Sequence, residues 1–146
     1  MIEYIKHDDR LIAIIIKNNF QKEGISFFTP DDFSQQLAYI HHSAGKIIEP
    51  HLHNPVYREV FHTQEVLVIM KGRLRVDFFD DMCNYLESRE LGHGDVILLA
   101  AGGHGFEVLD ELEMIEVKQG PYAGDGDKTL FIGVIPKVVG IEEIVP

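Results

Sequence analysis

Two histidines one residue apart, His51 and His53, stand in EPHLHNPVYREVFHTQEVLVIMKG, and Glu65 opens the apolar run that closes this stretch. Imidazole nitrogens and a carboxylate oxygen are the donors that iron, manganese, nickel and zinc accept in proteins. Extended chain puts residues i and i+2 on one face, so His51 and His53 are expected to project together. Pro50 and Pro55 oppose a helix here, because proline lacks the amide hydrogen and disfavours helix in the residue before it. A further imidazole comes from GDVILLAAGGHGFEVL, where His104 leads an alternating row with Phe106 and Val108. Glu65 leads a similar row with Leu67 and Ile69. An ionised carboxylate among inward apolar positions is costly unless it is paired or coordinated, which makes a metal a reasonable partner.

The elements that must hold these groups read as strands. Leu11 to Ile16, LIAIII, is rich in β-branched residues and reads as a buried strand. From Ala38 onward the chain reads AYIHHSAG, GKIIEPHLH, EVLVIM, GRLRVDFFD, YLESREL, GDVILLA, HGFEVL, LEMIEVK and TLFIGVIP. Short β-rich runs separated by Gly, Asp and Asn indicate a sandwich or a small barrel. One segment reads otherwise. Thr29 is placed as an N-cap, Pro30 at the first helical position, and Asp31 and Asp32 near the positive end of the dipole, which predicts one short helix over Pro30 to Gln36. FFDDMCNYLE reads as a hairpin loop, and its Cys83 is the only cysteine, which excludes an internal disulfide and fits a reducing compartment.

The totals narrow the function. A chain of 146 residues with 45% hydrophobic and 25% charged residues is expected to fold as one domain with a real core. Its net charge of −11 opposes nucleic acid and anionic membrane as partners. MIEYIKHDDR lacks the build of a signal peptide, and no apolar run approaches a membrane span, so a soluble cytoplasmic protein is expected. P-loop and dinucleotide-binding glycine patterns are absent, and Gly124 and Gly126 read as a turn.

Gly45, His51, His53, Glu65 and Gly72 together resemble the first motif of the cupin superfamily, in its small single-domain, metal-binding form. Eleven residues separate His53 from Glu65, more than cupins normally place there, and PVYREVFHTQ forms most of this insertion. GDVILLAAGGHGFEVL resembles the second motif, with Ala100 at the usual proline position, Gly102 following, and His104 arriving one residue early. The resemblance spans about residues 45 to 109. It implies an all-β fold: a cupin double-stranded β-helix, a jelly-roll-like barrel, carrying the one short N-terminal helix. The implied organisation is a single domain, with an N-terminal strand and helix extension over 1–44, the barrel core over 45–118 and C-terminal strands over 119–146. His51, His53, Glu65 and His104 are then the implied ligands of one divalent transition metal: iron, manganese, nickel or zinc.

Neighbouring residues add to this set. The insertion offers Glu59 or His62 as a substitute ligand, and His62 as a group beside the cavity mouth. Tyr57 and Arg58 are candidates for contact with an anionic ligand. On LEMIEVK, Leu112, Met114, Glu116 and Lys118 share one face, and Glu113, Ile115 and Val117 the other. Glu116 and Lys118 are a polar pair available to substrate if the first set faces inward, and a solvated ion pair if the second does. The apolar tail LFIGVIPKVVGIEEIVP is expected to complete the core or to add a strand to a neighbouring subunit, in keeping with a homodimer.

The resemblance implies a small-molecule ligand in the barrel and, in first place, an enzyme with dioxygenase or isomerase-type chemistry at a mononuclear metal. The alternatives are a non-enzymatic module that binds a metal or a sugar-like ligand, and a metal-free sugar-nucleotide isomerase or epimerase linked to polysaccharide synthesis.

Overall fold

The computed structural model describes residues 1–136, and these residues form antiparallel β-structure. Ten strands follow in order: β1 (Ile2–His7), β2 (Arg10–Ile16), β3 (Gly24–Phe27), β4 (Ala38–His41), β5 (Glu65–Lys71), β6 (Leu74–Phe79), β7 (Tyr85–Leu91), β8 (Val96–Leu99), β9 (Gly103–Val108) and β10 (Glu113–Lys118). They make a five-stranded sheet in the order β1-β2-β8-β5-β10, a three-stranded sheet β7-β6-β9, and a two-stranded sheet β3-β4.

The alternation of apolar residues decides which face of each strand is covered. Ala13 and Ile15 of β2 lie opposite Leu99 and Ile97 of β8, and Ile97 lies opposite Leu67 of β5. From the three-stranded sheet, Leu74, Val76 and Phe78 of β6 and Leu91 of β7 join them in one buried cluster. The larger two sheets therefore share a core. At about 25 cal/mol per Å² of apolar surface removed from water, this shared core is the main stabilising term. The sheets do not close into a barrel among the described residues: β10 and β9 end them as edges.

Two glycines set corners of the fold, Gly102 beside His104 and Gly72 at the far end of β5 from Glu65. Gly72, between β5 and β6, has φ +86°, and a Cβ there would lie 2.0 Å from the Glu111 carbonyl oxygen. Gly102, just before β9, has φ +71°, and its Cβ would lie 2.5 Å from the Phe79 carbonyl oxygen. Both positions combine a left-handed backbone with a close approach that only hydrogen fits.

Three sequence expectations change. The segment from Pro30 to Gln36 forms turns rather than a helix. Its carbonyls are taken locally: the Gln36 side-chain amide donates to the carbonyls of Pro30 and Phe33, each at 2.9 Å, and the Phe33 amide donates to Pro30 at 3.1 Å. Thr29 does act as an anchor, but its hydroxyl accepts the Leu37 amide at the far end of the turn. GKIIEPHLH forms no strand, and chain without regular structure runs from His42 to Gln64. TLFIGVIP also forms no strand; Phe131 instead packs edge-on against Phe79 at 5.2 Å, covering the outer side of β6. The only helical element among the described residues is a 3₁₀ turn at Gly124–Asp127. The rest of the expected C-terminal strands, 137–146, lies outside the described residues.

Candidate functional site

Glu65 opens β5, where the ladder places it opposite Leu99 of β8 on one side and Lys118 of β10 on the other. His104 lies on β9 opposite Phe78 of β6. The inward alternation of both strands brings these two side chains together: His104 Nε2 is 3.4 Å from Glu65 Oε2. The carboxylate is well covered, at 12% side-chain exposure, and the imidazole is half-buried at 31%. The His104 ring also leans on Phe106, with ring centroids 5.3 Å apart.

β10 resolves the alternatives for its own residues. Met114 lies opposite Ile69, Glu116 opposite Leu67 and Lys118 opposite Glu65, so this set faces inward. Glu116 and Lys118 are not a mutual ion pair. The Lys118 ammonium is 3.1 Å from Asp127 Oδ2 and 3.7 Å from Glu65 Oε1. The Thr63 hydroxyl donates to Asp127 Oδ1 at 3.3 Å. Thr63, Asp127, Lys118, Glu65 and His104 thus form one polar chain across the open end of the sandwich.

The charges bias one another. Contact with His104 holds the Glu65 carboxyl below its ordinary value against the opposing effect of burial, and Lys118 adds to the lowering. The bond to Asp127 raises the Lys118 ammonium and lowers the Asp127 carboxyl, so these two largely neutralise one another. Glu65 is thus held as a carboxylate between an imidazole and an ammonium.

The remaining expected residues lie elsewhere. His51 and His53 are exposed, on the irregular chain between β4 and β5. Their rings are 5.1 Å apart, and His51 Nδ1 contacts the Glu49 carbonyl at 3.0 Å. Tyr57, Arg58 and Glu59 are exposed on the same segment. His62 lines two clefts. One, of about 570 Å³, is shared with Arg10, Phe33, Glu59 and Gln64, and the other, of about 640 Å³, with Arg58, Thr63 and Asp127. Gln64 between them is buried, and its side-chain oxygen accepts from the Ser34 hydroxyl and the Gln35 amide. That holds the loop against the start of β5.

A carboxylate with an imidazole is a sound beginning for an iron, manganese, nickel or zinc site. Among the described residues, however, no three His, Cys, Asp or Glu side chains come together as a metal site. One chain in this arrangement presents two of the four expected ligands as a pair and holds the other two on a separate exposed segment. Sequence reasoning missed Asp127 and Thr63. GDGD reads only as a turn, and nothing local reports that the turn docks against the end of β10. Among the described residues no helix is long and apolar enough to cross a membrane. Comparison of the chain with protein-family models, with curated proteins and with solved structures finds no match.

Proposed function

We infer that this chain is a metal-binding protein of the cupin type that receives a small molecule at the open end of its sandwich. The observation that carries this reading is the meeting of Glu65 and His104. They come from the two separate sequence motifs, yet they stand 3.4 Å apart at the inward face. Their donor chemistry, an imidazole beside a carboxylate, favours a divalent cation. His51 and His53 complete the donor set in this reading. In this reading Tyr57, Arg58 and His62 are the candidates for contact with an anionic or polar ligand, and Glu116 faces inward from β10. The reaction class within this reading is isomerase-type or dioxygenase-type chemistry, with a ligand-binding module as the version without turnover.

The test is metal analysis of the purified protein after exposure to iron, manganese, nickel and zinc, beside a folded His51→Ala/His53→Ala variant. The expected result is about one ion per chain, lost in the variant. No bound metal in the wild-type protein overturns the reading.

One observation favours a second reading. Lys118 stands 3.7 Å from Glu65, and a lysine beside a carboxylate weakens its attraction for a cation. In a metal-free sugar-nucleotide isomerase or epimerase, His104 is the acid or base and Glu65 orients it. That version keeps turnover in the presence of a strong chelator and loses it in His104→Ala, whereas His51→Ala/His53→Ala leaves it intact.

A further inference from the structure

Glycine fills two outward positions of β9, and the fold accounts for only one of them. On the face of the three-stranded sheet turned away from the core, Gly103, Gly105 and Glu107 of β9 lie beside Phe79, Asp77 and Arg75 of β6. Glycine weakens a strand, and inside one it marks a bulge, a bend, or the close approach of a ligand or another backbone. At Gly103 the approach is visible: an added Cβ would lie 3.0 Å from Phe131 Cζ and 3.3 Å from Phe79 Cβ. At Gly105 each structural reason fails. Its φ is not left-handed, and the β6–β9 register runs past it unbroken. Among the described residues a Cβ there would meet only Phe79 Cε2, at 3.9 Å.

The space over Gly105 belongs to a cleft of about 810 Å³ between β9 and the segment from Lys128 to Ile135. Ligand pockets span about 300–1,000 Å³ and combine an apolar lining with a few fixed polar groups. Phe131 and Phe106 supply ring surface to this lining, at 39% and 41% exposure. The polar groups are fixed from beneath. Asp77 is buried although it points away from the core, and it takes the Arg75 guanidinium through two bonds, at 2.9 and 3.1 Å. It also accepts the Ser88 hydroxyl, which meets the Tyr85 hydroxyl in turn. From the rim, Glu107 Oε2 lies 2.7 Å from Arg75 Nη1. The guanidinium is thereby locked in place with N–H donors to spare.

Charge narrows the ligand. Around the cleft Arg75 and Lys128 balance Asp77 and Glu107, so neither an anion nor a cation is favoured. The lining sets donors beside acceptors, next to aromatic and aliphatic carbon. A hydroxyl is a donor and an acceptor at once. The matching molecule is a ring with hydroxyls at its edge and C–H groups on its face.

We propose that the cleft over Gly105 binds an uncharged sugar ring. The ring sits on the Gly105 backbone, with its apolar face on Phe131 and its hydroxyls on Arg75, Glu107 and Thr129. The proposal stands whether or not Glu65 and His104 take a metal, because none of these contacts uses that pair.

The test titrates isotope-labelled full-length protein with the methyl glycosides of glucose, mannose and galactose and follows the backbone amides by NMR. At least one of these sugars is expected to give saturable shifts centred on Gly103, Gly105 and the Thr129 to Phe131 segment. Gly105→Val fills the seat with a residue that suits a strand, and is expected to abolish the shifts while keeping the urea midpoint. The proposal is overturned by the absence of saturable shifts with all three sugars, or by shifts that survive in folded Gly105→Val. Benzoate and benzylamine are the charged probes, and tighter binding of either one at the same amides overturns the uncharged class. Should Gly105→Val fail to fold, Glu107→Ala decides, since that side chain is exposed. It is expected to weaken the sugar about tenfold, and an unchanged affinity overturns the proposal.

Discussion

Replacing Gly102 by alanine tests the corner that delivers His104. The residue has φ +71°, where an L-residue with a Cβ costs about 1–2 kcal/mol. The added carbon would also lie 2.5 Å from the Phe79 carbonyl oxygen, whereas an ordinary contact starts at 3.4 Å. The neighbouring atom is backbone at the end of β6, where Phe79 pairs with Gly103, so it has no rotamer by which to move aside. Ile12 Cδ1, at 3.5 Å, closes another direction. The strands must separate by most of an ångström, and such overpacking adds about 1–3 kcal/mol. The combined loss is about 2–5 kcal/mol, a large share of the roughly 5–15 kcal/mol that holds a domain together.

Urea denaturation followed by circular dichroism measures this loss. With a slope of about 2 kcal/mol per molar urea, the midpoint should fall by roughly 1–2.5 M. Gly92→Ala is the control. Gly92 lacks a positive φ and has nothing within 4 Å of its added Cβ, so that change should stay within about 0.5 kcal/mol. A Gly102→Ala midpoint equal to that of the control, with an unchanged slope, refutes the reasoning. The corner would then be pliable, and the position of His104 would not depend on glycine.

Asp95→Ala should cost about 2–4 kcal/mol, because the buried carboxylate accepts the Asn18 and Gly92 amides at 2.8 Å and Lys17 Nζ at 2.6 Å. Thermal unfolding checks it, and Asp95→Asn should recover part of the loss, because its side-chain oxygen still accepts a backbone amide. Asp80 in the β6–β7 turn has its carboxyl lowered chiefly by the Asn84 amide, with its side chain and Met82 contributing. A depressed carboxyl stabilises the fold fully above the unfolded value, about 3.9, and loses that effect as pH falls through the folded one. The melting temperatures of wild type and Asp80→Ala should therefore differ at neutral pH and converge below about pH 4; a gap that persists in acid counts against the carboxylate as its source.

The strands were legible because their signals are local: β2, β5 and β8 are short continuous apolar runs, and β6 alternates apolar and charged residues. The inward rows of Glu65 and of His104 were legible for the same reason, and the two side chains meet as their alternation requires. The helix at Pro30 was misread because its signals are shared with turns. A capping threonine, a proline and two aspartates suit either, and the choice fell to Gln36, whose side-chain amide takes carbonyls that a helix needs. The facing of Glu116 and Lys118 was not legible at all, since β10 carries apolar residues on both faces. Its pairing with β5 decides it, and pairing partners distant in sequence leave no local mark.

GKIIEPHLH is a different kind of departure. It reads as a strand in the sequence, yet among the described residues it forms none, although local pattern and structure agree at most of the other strands. A strand needs a neighbour to satisfy its backbone groups. The segment is exposed and mixes Ile47, Ile48 and Leu52 with Lys46, Glu49, His51 and His53, so its local pattern does not choose between strand and loop. The strand reading of this segment and the metal reading of its histidines both need it to pack against the sandwich, so metal analysis of the wild type beside His51→Ala/His53→Ala tests the two together.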